Sequence, residues 1–404
     1  MNLQIRCLLL VGLFCLFDGC AVRSRPNPAP SSVSPAASDS DAGGGASAET
    51  LDAAAEAFFR GPILRFEVQV GAAEWESLRN EPRKPVPATV VVGPHRFEKV
   101  SIHVKGAAGS TRPVDENPAL TLNFNRLNPG QSAFGLHKLH LNNSVQDPSR
   151  MTELVASTLY REAGIPTARA TQAWVSLNGR NLGLYVVKEG YDKMFLRRNF
   201  PGGPGTPGDL YDGGFLRDID QDLDREVGRG TNDYASLKLL RQAVEKPDAQ
   251  LIEALGKVLD LERFLTFCAL QSITEDWDGY ARNRNNYRLY YEPVSGRFQF
   301  IPHGMDQLFG NPDQTLYPAW GGIVAHRLLE LPEFQVRYLN RIRQIRSSLF
   351  TKRHLEEILD SATARLDASL VGHSESERKE LHDPIDQLRS RLYRRILSLH
   401  LQDP

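Results

Sequence analysis

The sequence predicts an α+β fold, with strands in the first half of the folded region and helices in the second. Three observations carry this. Apolar and polar residues alternate at period two in segments from Ile63 to Val187, and helical spacing takes over from Ala235 onward. Near the junction of the two regimes lies one stretch rich in acids and asparagines, Glu275 to Tyr290. A chain of 404 residues, 41% hydrophobic and 24% charged, is long enough for one large domain or two lobes around a shared cleft. A formal net charge of -1 offers no electrostatic footprint for nucleic acid or anionic membranes, which argues against a polyanion binder.

The first twenty residues read as an export signal. Arg6 precedes an apolar run from Cys7 to Phe17 that is too short for a stable membrane span. Phe17-Asp-Gly-Cys20 approximates a lipobox at the end of a signal spanning residues 1–20, so cleavage is expected just before Cys20, with that residue lipidated, and plain secretion is the alternative. Residues 21–50 are Pro, Ser, Ala and Gly with a few Asp, a composition that buries no apolar surface and suits a flexible tether. Of the four cysteines only Cys268 lies beyond this region; it sits among Phe264, Leu265 and Leu270 and reads as a small core residue.

Folding is expected to begin near Leu51 to Phe59 with a short helix. Ile63 to Val70, Ala88 to Val92, Lys99 to Val104 and Leu120 to Phe124 read as strands, with a short helix over Ala72 to Arg79. Gly106 to Thr111 is a small-residue loop of the kind that lets backbone N–H groups approach phosphates, and a plain hairpin turn has the same composition. Lys138 to Asn142 reads as a further strand. Pro148 to Ala163 reads as an amphipathic helix, with Asp147 as N-cap, Pro148 at the first position and Gly164 at the end. Thr171–Leu177 and Leu182–Val187 flank Asn178-Gly179, a strong hairpin signal. Helices are expected over Ala235–Val244, Ala249–Leu259 and Leu261–Thr274, and again from Pro332 to Leu401. Asp218, Asp220, Asp222 and Asp224 alternate in what reads as a solvated acidic loop. The arginines of the tail, among them Arg391, Arg394 and Arg395, read as solvated helix faces.

The chemistry concentrates in two segments. Asp276 and Asp278 stand just ahead of Asn283, Asn285 and Asn286, and a strand-like run then leads to an isolated acid, Asp306. Phosphoryl transfer to a hydroxyl needs one carboxylate at the acceptor and an Asn and a further Asp to hold divalent cations against the phosphates. The spacing Asp278-x-x-x-x-Asn283 equals that of a kinase catalytic loop. A kinase also needs a strand Lys paired with a helix Glu. Lys138 and Glu153 have the right elements in the right order, with Lys105 competing for the phosphate-binding role.

These segments, with Val104–Ser110, Pro118–Phe124, Lys138–Ser149, Leu182–Glu189, Asp209–Asp212 and Ile301–Asp306, resemble the spore coat protein H (CotH) kinase family in their order. The resemblance implies an atypical, secreted protein-kinase-like fold of two lobes, about 60–190 and 191–404, within a domain spanning 51–404. It implies binding of ATP with magnesium or manganese and phosphorylation of Ser or Thr on protein acceptors. Asp278 would serve the acceptor hydroxyl, with Asp276 as the competing assignment. Asp306 would hold the metal with Asn283 or Asn286. Lys188 and Glu189 would form the connection at the nucleotide's base. His303-Gly304 stands where many relatives carry Trp-Asp, which leaves Asp306 the only acid in that segment. Two other readings use the same residues: a catalytically inactive surface-binding protein, and a metal-dependent phosphohydrolase.

Overall fold

In a computed structural model, residues 48–107, 109–201 and 208–402 are described. The expected export signal and nearly all of the expected tether lie outside them. In chain order the elements are α1 (Ala48–Arg60), β1 (Leu64–Gln69), α2 (Ala72–Asn80), β2 (Val86–Val92), β3 (His95–Lys105), β4 (Ala119–Asn123) and β5 (Lys138–Asn142). There follow α3 (Thr152–Glu162), β6 (Ala170–Leu177), β7 (Arg180–Glu189), α4 (Lys193–Asn199), β8 (Leu210–Asp212) and β9 (Asp224–Val227). The remainder is α5 (Ala235–Val244), α6 (Asp248–Val258), α7 (Leu261–Ile273), α8 (Tyr280–Asn283), β10 (Tyr287–Glu292) and β11 (Arg297–Pro302). A 3-10 turn (Met305–Gln307) then leads to α9 (Ile323–Leu329), α10 (Pro332–Ser348), α11 (Lys352–Ser369) and α12 (Glu375–Gln402).

The first seven strands close into a barrel of order β1-β2-β3-β4-β5-β7-β6. All neighbours are antiparallel except the closing pair, β1 on β6, which is parallel. Closure removes every sheet edge from this half. The β6–β7 turn is the expected Asn178-Gly179 hairpin, with both residues at positive φ (50° and 79°). Asn178 also latches the end of β1: its amide exchanges two hydrogen bonds with the Val70 backbone, at 2.8 and 3.1 Å. Phe66, Val68, Val90, Ile102, Leu120 and Leu139 fill the barrel core.

A second core joins α3 to the helices of the second half and to the four-stranded sheet β11-β10-β8-β9. Strand β7 serves both cores. Tyr185 and Val187 face the barrel interior, while Leu184 and Val186 face the core that contains Leu154 and Val155 of α3. Side chains alternate along a strand, so Lys188 belongs to the face toward α3 and Glu189 to the barrel side.

Three expectations are corrected. The helix after Asp147 begins at Thr152, not Pro148. The Asp147 carboxylate accepts from Ser149 N, Ser149 Oγ and Thr152 N, which closes a tight turn ahead of the helix and takes one of its first amides. Asp218 is fully buried, not solvated: it accepts from Ile219 N, Tyr280 OH and Ile323 N, tying the acidic loop to α8 and α9. Arg395 is likewise buried. It donates to the carbonyls of Ser272, Ile273, Pro312 and Gln314, and lies 3.6 Å from Glu275. Cys268 is in the core as expected. Among the described residues no helix is long and apolar enough to cross a membrane.

Candidate functional site

The alternation of β7 decides the central pairing. Lys188 Nζ lies 2.5 Å from Glu153 Oε1, and both side chains are at most 2% exposed. Burial, and the nearby Asp306 charge, push the Glu153 carboxyl upward while Lys188 pulls it down. The expected partner, Lys138, is elsewhere: its Nζ donates to Tyr191 O at 3.2 Å, and its aliphatic chain covers Gly190. In strand β5 it is His140 that stands opposite Lys188, and Lys138 lies two residues away, with its ammonium committed to the chain just beyond β7.

Lys105, at the end of β3, is half-buried and donates to Asn142 Oδ1 at 2.5 Å. Burial, with the Lys188 charge beside it, pushes its ammonium down to about 8. Glu153 and Asp306 act on it in the opposite sense, so all four groups share one electrostatic environment. Gly106 follows directly at φ 130°, and the backbone N–H groups of Ser110 and Thr111 donate to Ala107 O.

Glu189 does not face the same space. Its carboxylate is held by Arg169, through Nε and Nη2, and by Arg198. Arg169 in turn reaches Asp52 and Glu56 on α1. The Glu189 side chain is therefore spent on structure, and the N–H groups of Glu189 and Gly190 are donated to the carbonyls of Arg169 and Lys138.

Asp278 sits between α7 and β10, half-buried, at the centre of three amides. Asn285 Nδ2 donates to its Oδ1 at 2.8 Å, Asn283 Nδ2 to the same oxygen at 3.4 Å, and Asn286 Nδ2 to Oδ2 at 3.0 Å. Asn285 stands in the Asp/Asn stretch but was given no role from the sequence; its own amide oxygen accepts from Leu216 N at 2.6 Å, anchoring the exposed Phe215-Leu216 loop beside Asp278. Asp276 is buried at 3% exposure and bonded to Gln271 Nε2 at 2.8 Å, while Gln271 Oε1 takes the Ala281 N–H. Burial raises the Asp276 carboxyl to about 7, with Gln271 opposing. Asp276 is thus a packed, inward group, and Asp278 is the carboxylate that solvent and a ligand can reach.

Asp306 lies on the 3-10 turn, which packs against α3. It is half-buried and, among the described residues, accepts no protein hydrogen bond. Asn286, at φ 51°, pairs its carbonyl with His303 N at 2.8 Å, which brings the Asn286 side chain to the segment leading into Asp306. Its amide oxygen faces Gly304, where an added Cβ would stand 2.5 Å from it. His303 is pushed well below the usual histidine range by burial and by Arg288, Lys188 and Lys105.

No three His, Cys, Asp or Glu side chains converge at metal-binding distance among the described residues. The donors on offer are the Asp306 carboxylate and the Asn286 amide oxygen. These are hard oxygen ligands with no protein hydrogen bond to break, and they fit magnesium or manganese, which keep several waters and take few protein ligands.

A protein-family model, described as CotH kinase protein, matches residues 102–393. The chain belongs to the CotH family. Inner spore coat protein H of Bacillus subtilis is 25% identical over 250 residues, which cover 55% of this chain and 66% of that protein. Invasin CotH2 of Rhizopus delemar is 22% identical over 298 residues, covering 65% of this chain and 49% of the invasin. The CotH chain described here therefore spans just under two thirds of the first of these relatives and about half of the second. Among solved structures, the Helicobacter pylori proinflammatory kinase CtkA superposes with a TM-score of 0.33 and 11% identity, over 70% of this chain and 94% of that one.

Proposed function

We propose that this CotH-family chain is a kinase-like phosphotransferase that moves the terminal phosphoryl group of ATP to Ser or Thr hydroxyls of protein acceptors. The observation that carries the reading is the fully buried Lys188–Glu153 pair. A buried ion pair is a costly way to stabilise a fold, so a lysine held there at fixed geometry calls for a use beyond packing. In this reading the barrel is the small lobe, the helical half the large lobe, and Glu189-Gly190 the connection whose backbone meets the nucleotide base.

Each residue then has one task. Lys188, held by Glu153, binds phosphate oxygens, and Lys105 adds a second cation whose lowered ammonium is raised again beside an anion. Asp306 and Asn286 hold magnesium or manganese, which neutralises phosphate charge when bound. Asp278 accepts the proton of the acceptor hydroxyl, and the three amides fix the carboxylate in place. Export and lipidation at Cys20 complete the proposal.

The deciding experiment incubates the full chain with radiolabelled ATP, manganese or magnesium, and Ser/Thr-containing protein acceptors. Label transferred by wild type but not by Lys188→Met supports the reading. Absence of transfer to any acceptor or to the chain itself, with either metal, overturns it in favour of a surface-binding role.

A further inference from the structure

A cavity of about 650 Å3 lies between α1, α3, α4, α11 and the start of α7, and none of the candidate-site residues lines it. Five arginines do: Arg60, Arg161, Arg198, Arg263 and Arg365, against Glu56, Glu162 and Glu357. The three acids are already engaged. Glu56 pairs with Arg60 at 2.5 Å, Glu162 with His354 at 2.5 Å and Glu357 with Arg353 at 2.9 Å. His354 and Arg353 stand outside the lining, so two of the negative charges are met from beyond the cavity.

Arg60, Arg161 and Arg198 have carboxylate partners, but the other two cations are less well served. Among the described residues Arg365 has no carboxylate partner: Nη1 donates to Phe59 O at 2.8 Å and Thr171 Oγ1 at 3.1 Å, and Nε is buried with no hydrogen-bond partner. Among the described residues Arg263 has one ion pair, a long one to Asp260 at 3.9 Å, with the Glu292 charge farther off. A buried donor left unmade costs stability unless a ligand or water takes it, and a guanidinium without a counter-ion favours an anion most.

We propose that this cavity is a second binding site, for a small anion carrying one or more phosphate groups. Guanidinium forks match phosphate oxygens in pairs, and the volume lies in the range of small-molecule sites, several times what one phosphate fills. Leu154, Thr158 and Arg161 form one stripe of α3, beside the stripe that carries Glu153. Arg198 also holds Glu189. A bound anion would thus touch both the helix that presents Glu153 and the arginine that fixes the connection after β7.

The test titrates inorganic pyrophosphate into the full chain without divalent metal, by calorimetry and thermal unfolding. Wild type is expected to bind saturably and to unfold a few degrees higher. Arg365→Gln should abolish binding. Arg263→Gln, at a half-exposed position whose ion pair with Asp260 is long, should weaken it by about tenfold while folding normally. Lys105→Met, in the proposed nucleotide site, should leave it unchanged. The inference is overturned if wild type shows no saturable binding, if both arginine variants bind as wild type does, or if Lys105→Met removes the binding. Failure of phosphoryl transfer would overturn the proposed function and leave this result standing.

Discussion

Lys188 and Glu153 meet 2.5 Å apart in a space that excludes water from both. Removing one partner strands the other charge. Lys188→Met should therefore cost about 3–5 kcal/mol of stability by denaturant unfolding, while Lys188→Met with Glu153→Leu should recover most of that loss. A double variant no more stable than the single one would show that the pair is not coupled.

Asp278 and Asp276 separate by task. Asp278→Asn preserves shape and leaves Asn286 and Asp306 in place, so ATP affinity should stay within a few-fold. Transfer to protein acceptors should fall on the order of a hundredfold to ten-thousandfold. If Asp276→Asn gives that pattern and Asp278→Asn stays active, the acceptor-side carboxylate is Asp276.

The buried Asp276 makes a prediction about pH. Its carboxyl is raised from 3.8 to about 7 in the folded chain, chiefly by burial. A raised carboxyl favours the folded state when protonated. Its contribution is full below about pH 4 and is lost as pH rises through 7. Unfolding curves of Asp276→Asn should be flatter than wild type between pH 4 and 7. Residual slope is expected from Glu275, which burial also raises to about 7. Parallel curves for the two proteins would contradict the assignment.

Gly304 offers a test of the metal donors that removes none of them. It sits at φ 57°, and an added methyl would press on the Asn286 amide oxygen at 2.5 Å. Gly304→Ala should lower manganese-dependent ATP affinity measurably, and Asp306→Ala should abolish it. Calorimetry with unchanged affinity in both variants would remove Asp306 and Asn286 from the site.

Much of this was legible because it is local. The β6–β7 hairpin follows from Asn178-Gly179 between alternating runs, and the period-two segments all became barrel strands. The Asp/Asn stretch announced itself by composition. What the sequence hid depends on distant partners. Lys188 reads as the end of an apolar run, and only the packing of Leu184 and Val186 against α3 shows which way it points. That alternation was the available signal. Strands β8 and β9, of 3 and 4 residues, are too short for a period to register. Asp218 and Arg395 look like surface charges until the carbonyls and amides that surround them come from four other segments.

The parallel seam of the barrel sets a condition on the order in which the chain can become secure. The Asn178 latch and its Val70 partner are 108 positions apart. From the moment β1 leaves the ribosome until the β6–β7 turn follows, one side of that strand has hydrogen-bonding groups and no neighbour to take them. Long-range closures of this sort are slow, and an open strand beside exposed Phe66 and Val68 invites the wrong partner in the interval. A chain cut short anywhere before Asn178 would not yield a smaller barrel. It would yield a sheet with a seam that nothing can close.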